Sequence, residues 1–199
     1  TIQDDTAEAA VEARFTVIKC LEPRLNGYFL TVAGTMLTTL GTAPSYETIS
    51  EAVLSLAELF QSLVHAAKKT TQGLWAELFL INSSRDPATM VRAWRGDSEE
   101  AFDFAWEGER VEVKSASGSQ RAHFFALEQL TPPEGVRVIV ASVLTDRIGG
   151  GISVGDLAQR VRDRLRGDAD LIIRFERVLA NTLGSGLPDA MDDRFDHER

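Results

Sequence analysis

Ala101-Phe-Asp-Phe-Ala-Trp-Glu-Gly-Glu-Arg-Val-Glu-Val-Lys-Ser115 is the stretch from which the rest of the chain can be placed. Aromatic and β-branched residues flank Glu107-Gly108-Glu109, the pattern of a β-hairpin with strands over 101–106 and 110–115. Residues two apart in a strand share a face, so Glu112 and Lys114 point one way while Val111 and Val113 point to the core. The facing strand can bring Asp103 beside them. Two carboxylates and a lysine on adjacent strands suit phosphodiester hydrolysis. Mg²⁺ takes one or two carboxylates plus waters and phosphate oxygens, and a lysine orients or activates the attacking water. The same trio also describes an ordinary cross-strand salt bridge on a solvated face.

Upstream, Leu74, Leu78 and Ile81 mark the inner stripe of a helix from Thr71 to about Asn82. Glu77 falls on that stripe, where desolvation is costly unless a partner or a metal offsets it. Ile49, Val53, Leu56, Phe60, Leu63 and Ala67 predict an earlier helix from Tyr46 to Lys69, with Thr48 and Glu51 as its capping box. Residues 14–42, punctuated by Gly27, Gly34 and Gly41, read as short strands, and Cys20 falls in the first. Leu25–Tyr46 is uncharged, but its threonines, glycines, Asn26 and Pro44 exclude a bilayer helix.

Downstream, a short helix around Ala126–Leu130 ends at Pro132-Pro133, and Val136–Leu144 reads as a strand buried on both faces. Gly149-Gly-Gly151 lacks the Gly-Lys-Ser/Thr of a P-loop and reads as a flexible lead-in to a helix that Ser153 and Asp156 cap. Leu157, Val161 and Leu165 face inward in that helix. Arg160, Arg162, Arg164 and Arg166 lie outside, as the most basic patch of the chain. A last helix covers about 170–183, and 188–199 reads as a loose, charged tail. The chain thus divides into a β-rich N-terminal subdomain (1–44), an α/β core (45–145) and a C-terminal helical region (146–199).

The 199 residues carry 21 Lys+Arg against 30 Asp+Glu, a formal charge of -9, which opposes indiscriminate binding to nucleic acid or anionic membrane. One cysteine excludes an internal disulfide framework and fits a reducing, cytoplasmic setting, and the acidic first ten residues read as no targeting segment. His65, His123 and His197 lack zinc-ligand spacing.

Taken in order, Glu77 on a helix, Asp103 on a strand, Glu112-Val113-Lys114 on the next, Gln129 on a helix and the strand at 136–144 resemble the αβββαβ core of the PD-(D/E)XK nuclease superfamily, which includes restriction endonucleases. Phe102 stands where that motif has Pro. Gly73-Leu-Trp-Ala-Glu-Leu78, Trp94-Arg-Gly96, Arg121-Ala-His123 and Leu127-Glu-Gln-Leu130 are similar, more narrowly, to a bacterial uncharacterised-domain branch found beside phage-defence genes. The resemblance implies an α/β, restriction-endonuclease-like fold and a Mg²⁺- or Mn²⁺-dependent nuclease acting on DNA. Asp103, Glu112 and the Val113 carbonyl would ligate the metal, and Lys114 would serve the attacking water. Glu77 would assist metal or water, Gln129 would orient substrate or lysine, and Arg121 and His123 would touch phosphate. It also implies no membrane association, protein partners encoded nearby, a homodimer as in many relatives, and further C-terminal structure beyond Arg199. A non-catalytic nucleic-acid- or protein-binding module on the same fold is the alternative.

Overall fold

Thr70 accepts the Gly73 backbone N–H on its hydroxyl (3.1 Å) and starts a helix that buries Leu74, Trp75, Ala76, Glu77, Leu78 and Ile81. The structure, a computed structural model, describes residues 17–96 and 101–196. Helices α1 (Asn26–Leu40), α2 (Tyr46–Ser62), α3 (Thr71–Ser83) and α4 (Pro87–Ala93) come first. Strands β1 (Phe104–Trp106) and β2 (Glu109–Ala116), the short helix α5 (Leu127–Leu130) and strands β3 (Arg137–Leu144) and β4 (Asp146–Ser153) follow. Helices α6 (Val154–Arg164), α7 (Ala169–Leu183) and α8 (Leu187–Ala190) lead to β5 (Arg194–Asp196).

The hairpin forms, with Phe104 opposite Val111 and Trp106 opposite Glu109, but its first strand covers only 104–106 instead of 101–106, so Asp103 stands ahead of it and not on it. β2 is the middle of a three-stranded sheet, antiparallel to β1 and parallel to β3. Two strands precede α5, and a single bridge between Trp94 and Phe104 lies along the outer side of β1. Helix α3 packs between this sheet and α6. Leu74, Trp75, Leu78 and Ile81 are fully buried, each burial contributing about 2 kcal/mol. The Trp75 indole N–H donates to the Ile152 carbonyl (2.9 Å), so the polar edge of that ring has a partner.

Several expectations are corrected. Residues 17–42 contain no strand: α1 occupies 26–40, so the β-rich N-terminal reading fails over the described residues, and residues 14–16 lie outside them. Threonines disfavour helices partly because their hydroxyls compete for the backbone. Here Thr31, Thr35, Thr38 and Thr39 each donate to the carbonyl four residues back, at 2.9–3.0 Å, inside the helix. Val32 and Met36 bury on the inner face, and the Tyr28 hydroxyl donates to the Glu176 carbonyl on α7 (3.2 Å). Tertiary packing therefore overrides strand propensity.

Helix α2 stops at Ser62 instead of Lys69, and its cap is Ser45, which accepts the Thr48 N–H (3.1 Å). β3 is an edge strand with Ile139 and Val140 40% and 44% exposed, so its apolar run is not covered on both faces. The Gly149–Gly151 segment belongs to β4, not to a flexible loop. A Cβ on Gly151 would sit 2.3 Å from the Phe195 carbonyl oxygen, so the glycine permits the close approach of β5. Residues 188–196 are not loose, because α8 and β5 bury Ala190 and Phe195; the rest of that tail, His197 included, lies outside the described residues. Cys20 lies in no strand, and α4 was not anticipated. Among the described residues, no helix is long and apolar enough to cross a membrane.

Candidate active site

Asp103 stands just ahead of β1, beside Glu112 of β2, whose carboxyl it pushes up. Both carboxylates are buried. The Val113 backbone N–H donates to Asp103 Oδ2 (2.8 Å), and the Arg95 N–H donates to the Asp103 carbonyl (2.8 Å), which fixes this residue just ahead of β1. Lys114 Nζ pairs with Glu112 Oε1 (2.7 Å) and donates to Gln129 Oε1 (3.2 Å). Gln129 also donates to the Ala101 carbonyl (2.9 Å), so α5 ties Lys114 to the segment that carries Asp103.

Glu77 does not tilt to solvent. It is 2% exposed, and both its oxygens are engaged: Lys69 Nζ at 2.7 Å on Oε1 and the Trp94 indole N–H at 2.6 Å on Oε2. Lys69 also donates to Asp103 Oδ1. The structure thus joins Glu77, Asp103, Glu112, Lys114 and Gln129 in one network. Lys69 and Trp94 are the members that sequence reasoning missed. The apolar spacing that predicts α2 runs on to Lys69, whereas the helix ends seven residues earlier, at Ser62.

Arg121 and His123 stand farther along the sheet. Arg121 donates to the Ser142 carbonyl (2.6 Å) and hydroxyl (2.9 Å), and His123 Nε2 lies 2.7 Å from the same hydroxyl. Ser142 is the β3 register partner of Lys114, which puts the two residues one strand over from it. Of the four arginines read as facing outward, Arg160, Arg164 and Arg166 are exposed as expected, and Arg162 alone turns inward. Arg162 is buried against Glu176, Arg164 donates to carbonyls beyond the end of α3, and Arg166 pairs with Asp163.

The electrostatics follow from burial and like charge. Desolvation raises the Glu112 pKa, Asp103 adds in the same direction, and Lys114 and Gln129 oppose them. Burial pushes Glu77 up to about 8, against the pull of Lys69 and with a further push from Asp103. Burial works to lower the pKa of Lys69, but Glu77 and Asp103 outweigh it and hold the ammonium charged well above its ordinary range. Three carboxylates (Glu77, Asp103, Glu112) thus share two ammonium groups (Lys69, Lys114), leaving a formal charge of -1.

A cleft of about 220 Å³ opens on this network, with Lys68, Lys69, Arg95, Asp103, Glu112 and Gln129 among its walls. A larger cavity of about 820 Å³ lies elsewhere, between α2 and residues 18–25, with Leu25, Phe29 and Phe60 among its mainly apolar walls. Only the smaller cleft carries the carboxylates. Among the described residues, no group of three or more His, Cys, Asp or Glu is disposed as a metal-ligand set. Asp103 and Glu112 side by side nonetheless supply oxygen ligands of the kind a hard divalent cation such as Mg²⁺ takes while keeping most of its waters.

A buried helix carrying an acid, a hairpin with Asp103 beside Glu112-x-Lys114, and a parallel strand beyond it make an α/β arrangement compatible with a nuclease-like fold. Sequence comparison makes the assignment specific. The family described as "Putative PD-(D/E)XK family member, (DUF4420)" matches residues 3–198, and the chain belongs to that family. No curated protein and no solved structure matches the chain.

Proposed function

We propose that the protein is a metal-dependent nuclease that hydrolyses DNA phosphodiester bonds in the bacterial cytoplasm, in defence or DNA processing, beside partners encoded nearby. The observation that carries this reading is Asp103 held by the Val113 N–H beside Glu112, with Lys114 held on the same strand as Glu112 by Glu112 and Gln129. Asp103 and Glu112, with the Val113 carbonyl, would hold Mg²⁺ or Mn²⁺. The cation supplies Lewis-acid charge to a bound phosphate. Lys114 orients a water and offsets negative charge that grows on the phosphoryl oxygens. Gln129 keeps the Lys114 ammonium from swinging, and Arg121 and His123 contact the flanking backbone phosphates.

The test is cleavage of plasmid and labelled linear DNA in Mg²⁺ or Mn²⁺. Asp103→Asn and Lys114→Ala should each slow cleavage by about a thousand-fold, equivalent to about 4 kcal/mol of barrier, with circular dichroism unchanged. Full activity in both variants would sink the assignment. One observation favours the alternative of a non-catalytic module: Asp103 and Glu112 each already hold an ammonium partner. Calorimetry that finds DNA affinity but no heat with Mg²⁺ or Mn²⁺ would select it.

A further inference from the structure

Lys69 is not a wandering surface lysine. The Lys68 N–H before it donates to the Thr182 carbonyl on α7 (2.9 Å), and Thr70 after it caps α3. The backbone is therefore fixed on both sides, and the side chain is 27% exposed. Its ammonium sits between Glu77 Oε1 and Asp103 Oδ1. With the Trp94 indole on Glu77 Oε2, no oxygen of Glu77 is left without a donor from this chain.

Two-cation phosphoryl-transfer sites hold their ions about 3.5–4 Å apart. Asp103 is the carboxylate placed to serve two cations here, since it lies beside Glu112, whose carboxyl it pushes up, and holds Lys69 on Oδ1. We propose that Lys69 is a resident cation of the site: its ammonium takes the place of a second metal ion, so the cluster accepts one divalent ion, at Asp103 and Glu112, and not two. Position supports this: Lys69 Nζ lies 2.7 Å from Glu77 Oε1 and also pairs with Asp103 Oδ1, so a positive charge already occupies the place where an ion bridging those two carboxylates would sit. Glu77 is then a positioning residue that acts through Lys69. The inference rests on the reading of the site as a metal centre.

The experiment is a Mn²⁺ titration of the full chain, read by calorimetric stoichiometry and by electron paramagnetic resonance of the bound ion. The wild type should take one ion per chain and give the six-line pattern of an isolated Mn²⁺. Two ions with a spin-coupled signal would overturn the role of Lys69 while leaving the nuclease reading intact. No bound Mn²⁺ at millimolar concentration would overturn the nuclease reading itself. Lys69→Met keeps the aliphatic stem and removes the charge, so it should admit a second, coupled ion, whereas Lys69→Arg should keep the single one. One uncoupled ion of unchanged affinity in Lys69→Met would also refute the assignment. Should that variant fail to fold, by circular dichroism, Lys69→Gln takes its place, with the same gain of a second, coupled ion expected and the same single ion of unchanged affinity refuting the assignment.

Discussion

Between α6 and α7, Arg162 donates to both oxygens of Glu176, at 2.5 and 3.1 Å, one guanidinium to one carboxylate. Between α3 and the hairpin, Glu77, Asp103 and Glu112 share Lys69 and Lys114, and two of those carboxylates have raised pKa values. Both clusters are largely buried. The first is balanced and closed. The second is not paired one to one, and burial holds two of its carboxyls toward their neutral form. Carboxyls with raised pKa values cluster at sites that must meet a ligand. The contrast separates an ion pair that holds helices together from one held ready for a cation.

Breaking the balanced pair should give the largest change in stability. Glu176→Ala strands the Arg162 guanidinium among buried groups and should lower the unfolding free energy by about 3–5 kcal/mol in urea denaturation. Replacing both partners, Arg162→Met with Glu176→Leu, should restore most of that loss. Should the double variant be as unstable as the single one, the pair would be making contacts beyond its mutual charge.

The hairpin cluster should respond in the opposite sense. Glu112→Gln removes one like charge from beside Asp103, so the metal-free protein should gain about 1 kcal/mol at pH 8 while losing metal affinity. The pH dependence follows from the raised values of Glu77 and Glu112. Stability tied to their protonation in the fold is complete below about pH 4.5 and is lost as the pH climbs through the folded values, about 8 for Glu77. Unfolding free energy without metal should therefore fall from pH 5 to pH 8, and Mg²⁺ should restore it at the upper end. A flat profile would mean that the cluster is as balanced as the Arg162 pair.

The same contrast explains what was legible in the sequence. Glu112, Lys114 and Asp103 could be placed because strand alternation and a short turn fix who faces whom. Gln129 was legible through the family order, and Glu77 through its position on an apolar stripe. Lys69 was not, because it enters from an irregular segment between α2 and α3, where no periodicity points a side chain. Arg162 departs from the sequence reading for a different reason. Helical spacing puts it on the polar face of α6, but it cannot show that Glu176 of α7 draws it inward. Helix α1 was misread because its threonines satisfy their hydroxyls on the preceding turn, a local bond that composition does not reveal.

Arg164 offers the smallest and sharpest test of the structural half of the comparison. Its guanidinium donates to the carbonyls of Asn82, Ser84 (2.8 Å) and Arg85 (3.4 Å), so it gathers acceptors where α3 ends and has run out of its own N–H donors. Arg164→Ala leaves those carbonyls to water, which can reach them at the surface, so the loss should be only about 1 kcal/mol. DNA affinity should stay unchanged in the same variant, measured by fluorescence anisotropy at low salt. A clear fall in affinity with no loss of stability would return Arg164 to the nucleic-acid surface, and would show that the C-terminal arginines answer to substrate charge as the hairpin cluster answers to metal.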